Sequence, residues 1–529
     1  MFGKNRFRFV GAVLAACVLM LTGALAGCNK KTKYDFTVWV IQNDDVGNYK
    51  NADVFKKMEE ITGKKVNFVM GTDIQLMFAT RDYPEAVVTV LGDDAGYPGG
   101  IDKGISDKVL LDLTDLIEEH APNYKAFVNS DPAIKREVIT DNGRIGAMYA
   151  VSEDTQGPWY GYVMRKDLLI KYADSFTFPY NEELGCKIPI TYADWTQVLI
   201  KVSRPKDKGG EGMTNPIYLS QTGIDLFNIL NGGFGVTGDF YNENGVVKYG
   251  PIEQGFKDYL HQMYEWCSMG NLIPKDFNTN TSLFVPSLQD IIGNKKTEPI
   301  VMAFPYIYTM IDSVDQQGRN AGIENFELVP VPSPRVNASD DLHIRQTNLR
   351  IGAHVLLTEK CKNPAEIVEW FDYFYSDAGR LLMNYGTEGK SYNMVDGKPV
   401  FTQLVRDEFD SGAFYKYASH AFPTVSDWRR EFQLISSKAI QAMDVWATKN
   451  DGSYLLSLAI TMTPAEGARY STLMVDINTK LGEKVAQFIK GEYAFTNFNN
   501  FVQDLKGMGI EEAIAIKQAG LDRLNNRQV

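Results

Sequence analysis

The strongest constraint on the fold is an alternation of strand-like and helix-like segments that begins near Tyr34. Three apolar, strand-like segments occupy residues 35–41, 64–70 and 85–92, and helix-like segments lie between them. This alternation is typical of a largely parallel sheet flanked by helices. A chain of 529 residues is longer than one hydrophobic core usually supports. The sequence therefore predicts an α/β protein with at least two domains.

A polar stretch at residues 152–158 separates two strand-like segments and marks the predicted crossing into a second α/β region. In that region Thr191 is the expected N-cap of a helix, with Asp194 as its reciprocal partner. Asn244-Gly245 predicts a hairpin turn. A helix is expected to start at Pro251.

Beyond residue 350 the pattern predicts one more strand and then mainly helices. Asn363 is the expected cap of a helix that runs on to Tyr385, and long helices are predicted at 426–446 and 464–491. We expect this helical end to pack onto one of the α/β domains.

The first residues have the charge pattern of an export signal. Three basic residues fall within the first eight, and a mostly apolar run follows at 9–26. Leu25-Ala26-Gly27-Cys28 resembles the lipobox of bacterial lipoproteins, in which the cysteine before which the chain is cut carries the lipids. Residues 1–27 are thus a predicted signal peptide and 28–34 a lipidated tether. An uncleaved membrane anchor is the alternative.

Composition excludes several classes of function. A formal net charge of −12 argues against a nucleic-acid partner. The five histidines are scattered, and Cys186, Cys267 and Cys361 show no metal or disulfide spacing, so neither a metal nor a cofactor is expected. Gly233-Phe-Gly235-Val-Thr-Gly238 matches G-x-G-x-x-G, but a helix-like segment precedes it, which is the wrong order for a dinucleotide site.

Acidic and aromatic residues at strand ends and in loops indicate a ligand site. The carboxyl ends of parallel strands are where open α/β sheets bind ligands. A sugar offers a flat face of C–H bonds rimmed by hydroxyls, which suits aromatic rings combined with hydrogen-bonding side chains. The predicted ligand-binding residues are Trp39, Asp44, Asp45, Asp93, Asp94, Trp159, Tyr160, Tyr306, Arg350, Tyr392 and Trp428.

Several segments resemble one family over most of the mature chain. Besides the lipobox, these are "VFKKMEEITGKKVNFV", "LMFATRDYPEAVVT", "VMRKDLL", "PITYADWTQVL", "QMYEWCSMGNLIPKDF" and "NPAEIVEWFDYFYSDAGRLLMNYGTEGKSY". They resemble the extracellular solute-binding lipoproteins (family 1) of bacterial carbohydrate ABC importers. The chain departs from that family's Gly-Asp-x-Pro-Asp turn at Arg81 and Glu85.

The resemblance implies a two-lobe, periplasmic-binding-protein-like (type II) fold with a hinge, a central ligand cleft and a helical C-terminal part. It implies an N-terminal lobe of 35–152 and 350–410, and a C-terminal lobe of 153–349 and 411–529. It also implies a cleft wall at Asp93-Asp94, a hinge contribution from Trp159-Tyr160 and an aromatic platform at Trp428.

The implied function is that of a receptor and not of an enzyme. A monomer, held by its lipid on the extracellular face of the cytoplasmic membrane, would capture a carbohydrate, expected to be an oligosaccharide, by lobe closure. It would then deliver the sugar to ABC permease subunits. A binding lipoprotein for a peptide or another small solute, and a carbohydrate-active enzyme with two facing carboxylates, are the alternatives.

Overall fold

A computed structural model describes residues 34–41, 51–90, 96–152, 157–225, 227–269, 272–282, 284–294, 296–344, 351–409, 416–419 and 422–529. The predicted signal peptide and Cys28 lie outside these residues.

The described strands, in chain order, are β1 Phe36–Ile41, β2 Val66–Gly71, β3 Ala86–Thr89, β4 Met148–Ser152, β5 Tyr160–Arg165, β6 Tyr180–Asn181, β7 Cys186–Lys187, β8 Phe240–Glu243, β9 Val246–Tyr249, β10 Ala303–Ile307, β11 Leu328–Pro330, β12 Ile351–Leu357, β13 Tyr392–Val395, β14 Lys398–Phe401 and β15 Val425–Ser426.

The described α-helices are α1 Asp53–Thr62, α2 Ile74–Thr80, α3 Ile101–Ser106, α4 Thr114–His120, α5 Pro122–Val128, α6 Pro132–Val138, α7 Lys166–Lys171, α8 Tyr192–Ser203, α9 Gln254–Ser268, α10 Phe277–Asn280, α11 Leu288–Ile292, α12 Ile311–Asn320, α13 Pro364–Asp372, α14 Asp377–Tyr385, α15 Gln403–Asp407, α16 Ser437–Ala447, α17 Pro464–Lys490, α18 Phe498–Gly507 and α19 Ile510–Asn526. Single 3₁₀ turns or short 3₁₀ helices lie at Ala173–Ser175, Lys206–Lys208, Gly232–Phe234, Gly250–Ile252, Tyr308–Met310, Tyr373–Tyr375, Trp428–Gln433 and Phe495–Asn497.

The first sheet has six strands in the order β15-β4-β12-β3-β1-β2. β1 pairs in parallel with β2 and β3, and β15 pairs in parallel with β4. β12 runs antiparallel to both of its neighbours, β3 and β4. A long connection thus brings residues 351–357 back between strands from the first part of the chain. A second sheet, β10-β5-β11, is antiparallel throughout.

Two main apolar cores match the two sheets. The first surrounds the six-stranded sheet and includes Val38, Val88 and Phe371. The second surrounds β5 and includes Trp195 and Phe256. Each lobe therefore has its own core, as expected for an α/β chain that is too long for a single core.

Local signals correctly predicted several elements. Thr191 and Asp194 form the reciprocal cap of α8, and Asn244 and Gly245 have φ angles of 55° and 90° in the β8–β9 hairpin. Two predicted long helices are interrupted instead. Ser376 ends one helical stretch and caps α14. Residues 426–446 divide into β15, the short 3₁₀ helix Trp428–Gln433 and α16.

The sequence predicted that the C-terminal helices pack onto a single domain. In the structure they do not. α17 belongs to the second core, whereas α19 contacts both: Ala513 lies in the second core, and Leu521 and Leu524 lie in the first. Burying a leucine side chain contributes about 2 kcal/mol. α19 therefore joins the two lobes. Residues 425–426, which the predicted lobe boundaries assigned to the C-terminal lobe, lie in the first sheet.

Charged side chains reinforce this junction. Arg523 of α19 places Nη2 2.7 Å from Glu466 and Nε 3.1 Å from Asp141. Arg527 donates from Nε to the other oxygen of Asp141 at 2.9 Å. Among the residues that the structure describes, none of the helices combines the length and the apolar character needed to cross a membrane.

A buried histidine in β12 predicts how stability depends on pH. His354 is 5% exposed, lies against the ring of Tyr149, and burial lowers its pKa to about 4. The unfolded chain would protonate this ring near pH 6.5, so its contribution is complete above that pH and is lost as pH falls towards 4. We expect wild type to lose about 2 kcal/mol more unfolding free energy than His354→Gln between pH 7.5 and 5.0. Urea titrations at the two pH values measure this, and equal losses would contradict it.

Candidate ligand-binding cleft

The carboxyl ends of five strands lie at one edge of the first sheet. β1, β2, β3, β4 and β15 all point the same way, because β12 is antiparallel to both β3 and β4. At this edge Ser152 pairs with Ser426, and Ile351 at the start of β12 pairs with Val151. Carboxyl ends of strands and the connections that leave them form the ligand crevice in open α/β sheets.

The second sheet begins where the chain leaves this edge. β4 ends at Ser152, and β5 begins at Tyr160, which pairs with Ile307 of β10. The amide of Tyr308 donates to the carbonyl of Trp159 at 3.1 Å. This end of the second sheet therefore adjoins the crossing between the lobes, and the candidate site lies between the two sheets.

Five of the predicted site residues lie outside the described residues: Asp44, Asp45, Asp93, Asp94 and Arg350. The strands next to them are described. β1 and β3, which precede the two acidic pairs, end at the crevice edge, and β12, which follows Arg350, begins there.

Trp39 is buried within the sheet and has little accessible surface. The residue is 5% exposed, and its indole packs over the backbone of Gly71 in the edge strand β2. A Cβ at position 71 would lie only 2.6 Å from Trp39 Nε1, so a glycine is needed for this approach. In this conformation Trp39 packs β2 onto β1.

Three aromatic rings meet at the crossing, and we call them the aromatic trio: Trp159, Tyr160 and Phe227. The ring centroids are 5.8 Å apart for Trp159 and Tyr160, and Phe227 lies 5.2 Å from each of them. Interplanar angles of 61° to 78° make these edge-to-face contacts. Trp159 and Phe227 keep part of their surface exposed, whereas Tyr160 is 2% exposed.

The predicted site residues include Trp159 and Tyr160 of this trio but not Phe227. Phe227 belongs to the run "DLFNIL", whose apolar spacing indicated a helix. Its described residues form turns, with Asn228 at a φ of 57°. The hydroxyl of Tyr160 donates to the carbonyl of Phe284, a residue that is 51% exposed. Phe284 is thus an exposed aromatic residue whose main chain bonds to the trio.

A second set of contacts comes from residues 427–433, which we call the linking segment. On the side of the first lobe, the Asp427 carboxylate accepts from the Tyr385 hydroxyl at 2.7 Å. Asn384 Oδ1 accepts both from the Asp427 amide at 2.9 Å and from Arg430 Nη1 at 2.6 Å. Burial lowers the pKa of Arg430, and the neighbouring Glu431 and Asp427 carboxylates oppose that effect.

On the side of the second lobe, the linking segment bonds to the turn after β10. The Glu431 carboxylate accepts from the Tyr308 hydroxyl at 2.6 Å. Trp428 and Phe432 stand edge to face at 5.2 Å and pack against the apolar cluster that contains Tyr306. The indole Nε1 of Trp428 is buried and has no hydrogen-bond partner among the described residues. The linking segment thus contacts both lobes.

The two remaining predicted residues are buried near this region. Tyr306 in β10 is 7% exposed and stands edge to face with Phe304. Tyr392 in β13 is 5% exposed and packs 5.9 Å from Tyr385. The structure therefore places Trp159, Tyr306 and Trp428 on one shared apolar cluster, and Tyr392 behind the linking segment.

The described part of this region is a candidate binding surface with aromatic walls. Its acids, Asp427 and Glu431, each accept a tyrosine hydroxyl. Within the described ranges no group of three His, Cys, Asp or Glu residues could hold a metal ion. A surface depression of about 600 Å³ lies elsewhere, on the first lobe, and none of the predicted site residues lines it.

Comparison with known proteins gave relatives and structures but no matching family model. The fructooligosaccharide ABC transporter substrate-binding protein FusA of Streptococcus pneumoniae is 20% identical over 511 residues, covering 89% of this chain and 86% of FusA. Lipoprotein LipO of Bacillus subtilis is 22% identical over 488 residues, covering 86% of each protein.

Solved structures share the fold over nearly the whole chain. FusA in complex with kestose superposes with a TM-score of 0.66 at 16% identity, covering 93% of this chain and 100% of that one. An HMO binding, ABC-transporter-associated solute-binding protein of Bifidobacterium longum infantis gives 0.70 at 15% identity, covering 93% and 99%. These similarities confirm the predicted two-lobe α/β fold.

The bond between Tyr308 and Glu431 predicts a variant that loosens the contact between the lobes. Tyr308→Phe removes a hydroxyl bonded to a carboxylate, which should cost about 2 kcal/mol of unfolding free energy. Tyr385→Phe is the matched control within the first lobe, because it removes the hydroxyl that donates to Asp427. We expect only Tyr308→Phe to increase the radius of gyration in small-angle X-ray scattering. Equal radii for both variants and wild type would contradict an interlobe role.

Proposed function

We propose that this chain, a relative of the substrate-binding proteins of ABC transporters, captures a neutral oligosaccharide between its lobes and presents it to an importer. The observation that carries the proposal is the aromatic trio at the crossing between the two sheets. Part-exposed indole and phenyl rings suit the C–H face of a sugar ring.

The ligands of the relatives support a sugar over other solutes. FusA is described as a fructooligosaccharide-binding protein, and its structure was solved with kestose. In the present chain three charged groups of the linking segment are already hydrogen-bonded: Asp427 and Glu431 to tyrosine hydroxyls, and Arg430 to Asn384. The fourth, Arg429, is exposed and lies 5.6 Å over the Trp428 ring. A peptide or charged solute needs opposing charges that are available to it, so the three bonded groups favour a neutral ligand.

Binding would be coupled to closure. An open form binds sugar on one lobe, and contacts from the second lobe are gained only when the cleft closes, so the sugar shifts the population towards the closed form. Trp159 and Phe227 of the trio, together with Phe284, are the proposed stacking surfaces on the second lobe. Asp44, Asp45, Asp93, Asp94 and Arg350 remain our proposed hydrogen-bonding groups on the first. Trp428 is the proposed platform on the linking segment.

The proposed cellular arrangement follows from the N-terminal sequence. After cleavage before Cys28, acyl chains on that cysteine would hold a monomer on the extracellular face of the cytoplasmic membrane. Permease subunits in the same membrane would receive the closed, sugar-loaded form. No bond in the sugar is broken in this scheme.

A thermal-shift screen of the chain from residue 29 onwards tests the ligand class. The screen uses kestose, maltotriose, amino acids and short peptides. A sugar at 100 times its dissociation constant adds about 2.7 kcal/mol of stability, which raises the melting temperature. Chromatography of the recovered sugar must show it unchanged. A peptide hit without a sugar hit would favour the solute alternative, and released monosaccharide would favour an enzyme.

The same sugar then tests the trio. We expect Trp159→Ala and Phe227→Leu each to weaken its binding about tenfold, equivalent to about 1.4 kcal/mol, because a stacking surface is lost. Trp195→Phe is the control, since Trp195 is fully buried in the second core and should affect stability alone. Calorimetric titration measures the affinities. Unchanged affinity in both trio variants would exclude the trio from the site.

Lipid anchoring has its own test. Expressed in a lipoprotein-processing bacterium, the full chain should partition into the detergent phase of Triton X-114, and Cys28→Ala should move it to the aqueous phase or leave its signal uncleaved. Cys361→Ala, at a cysteine within the folded part, should not change the partitioning. Aqueous partitioning of the wild type would refute the anchor.

A further inference from the structure

A buried carboxylate lies beneath the aromatic trio. Asp225 is 4% exposed and accepts backbone hydrogen bonds from Ile229 at 2.7 Å, Leu230 at 2.9 Å and Phe227 at 3.2 Å. Among the described residues it has no salt-bridge partner. Burial raises its pKa, and the three amide bonds oppose this effect. A carboxylate removed from water is costly unless hydrogen bonds compensate it.

The tyrosines that surround Asp225 bond elsewhere. Tyr259 donates its hydroxyl to the carbonyl of Gly223, and Tyr192 donates to the carbonyl of Leu230. Both tyrosines are buried. Their hydroxyls hold the main chain on either side of Phe227, while the carboxylate holds the amides between them. The conformation of this turn therefore depends on polar groups and not on a regular helix.

This turn determines where the Phe227 ring lies. The Phe227 amide and two amides that follow it converge on one carboxylate, and the ring of the same residue contacts Trp159 and Tyr160. Without the carboxylate, two buried amides and the part-buried amide of Phe227 would lose their acceptor, and the turn would have to rearrange to satisfy them.

We infer that Asp225 is a positioning residue for ligand binding: by organising the turn, it orients Phe227 so that the aromatic trio presents a preformed surface to a sugar ring. The inference rests on the proposed function and deepens it. Preorganisation of this kind increases affinity because the ring does not have to be ordered when the sugar binds.

The first lobe offers a matched control. Asp372 is also 4% exposed, and it accepts from the Tyr124 amide at 2.8 Å and from Asn123 Nδ2 at 2.7 Å. Burial raises its pKa as it does that of Asp225. Asp372 belongs to α13 in the first lobe, whereas the trio lies in the second lobe. Loss of Asp372 should therefore reduce stability without altering the trio.

The experiment measures ring position and affinity separately. 4-Fluorophenylalanine is incorporated at position 227, and its ¹⁹F resonance is recorded in the sugar-free wild type, Asp225→Ala, Asp225→Asn, Asp372→Ala and Asp372→Asn. Affinity is measured by calorimetry with kestose, or with maltotriose if the wild type does not bind kestose. Melting temperatures report the general loss of stability in every variant.

We expect Asp225→Ala to shift or broaden the ¹⁹F resonance and to weaken sugar binding about tenfold. Asp225→Asn, which keeps one acceptor oxygen, should give a smaller change of about threefold. The Asp372 variants should lower the melting temperature but leave the resonance and the affinity unchanged. If Asp225→Ala does not fold, the comparison of Asp225→Asn with Asp372→Asn tests whether Asp225 positions Phe227.

Two results would overturn the inference. One is an unchanged resonance and affinity in the folded Asp225 variants. The other is an equal effect of the Asp372 variants, which would make Asp225 a general stabiliser. A wild type that binds neither sugar would overturn the proposed function and the binding role with it, whereas the ¹⁹F shift would still report whether Asp225 orients the ring.

Discussion

The antiparallel insertion of β12 between β3 and β4 is the constraint on which the site depends. Because β12 opposes both neighbours, β4 points in the same direction as β1 and β3. The crossing into β5, the start of β12 and the end of β15 therefore meet at one edge. A parallel β12 would send its entry to the opposite edge, and the connections between the lobes would no longer border one cleft.

Two different kinds of contact then join the lobes. α19 packs Leu521 and Leu524 into the first core and Ala513 into the second, an apolar junction that Arg523 and Arg527 reinforce through Asp141. The linking segment instead uses directional bonds, from Tyr385 to Asp427 and from Tyr308 to Glu431. Apolar packing tolerates small relative movements, whereas hydrogen bonds weaken steeply with angle and distance. A closing motion would therefore strain the hydrogen bonds of the linking segment and of Arg523 more than the apolar contacts of α19.

Sequence reasoning succeeded where the signal was local. The Thr191–Asp194 cap, the Asn244-Gly245 turn and the long helix α17 depend on neighbouring residues, and each was predicted correctly. It failed at residues 227–230 and 428–433, where apolar spacing indicated helices. Those conformations depend on distant or buried groups, among them Asn384 and the Asp225 carboxylate. Trp39 shows the same limit, since its place at a strand was predicted correctly but not its packing over Gly71.

The sequence by itself determined the order of strands and helices, the need for two cores and the concentration of acids and aromatics near strand ends. These properties follow from apolar periodicity, capping and chain length, which neighbouring residues specify. Only the tertiary structure decided the direction of β12, the crossing of α19 and the meeting of Phe227 with Trp159. Each of these depends on pairing or burial between groups far apart in the chain. Such contacts stabilise the protein only when the whole fold has formed.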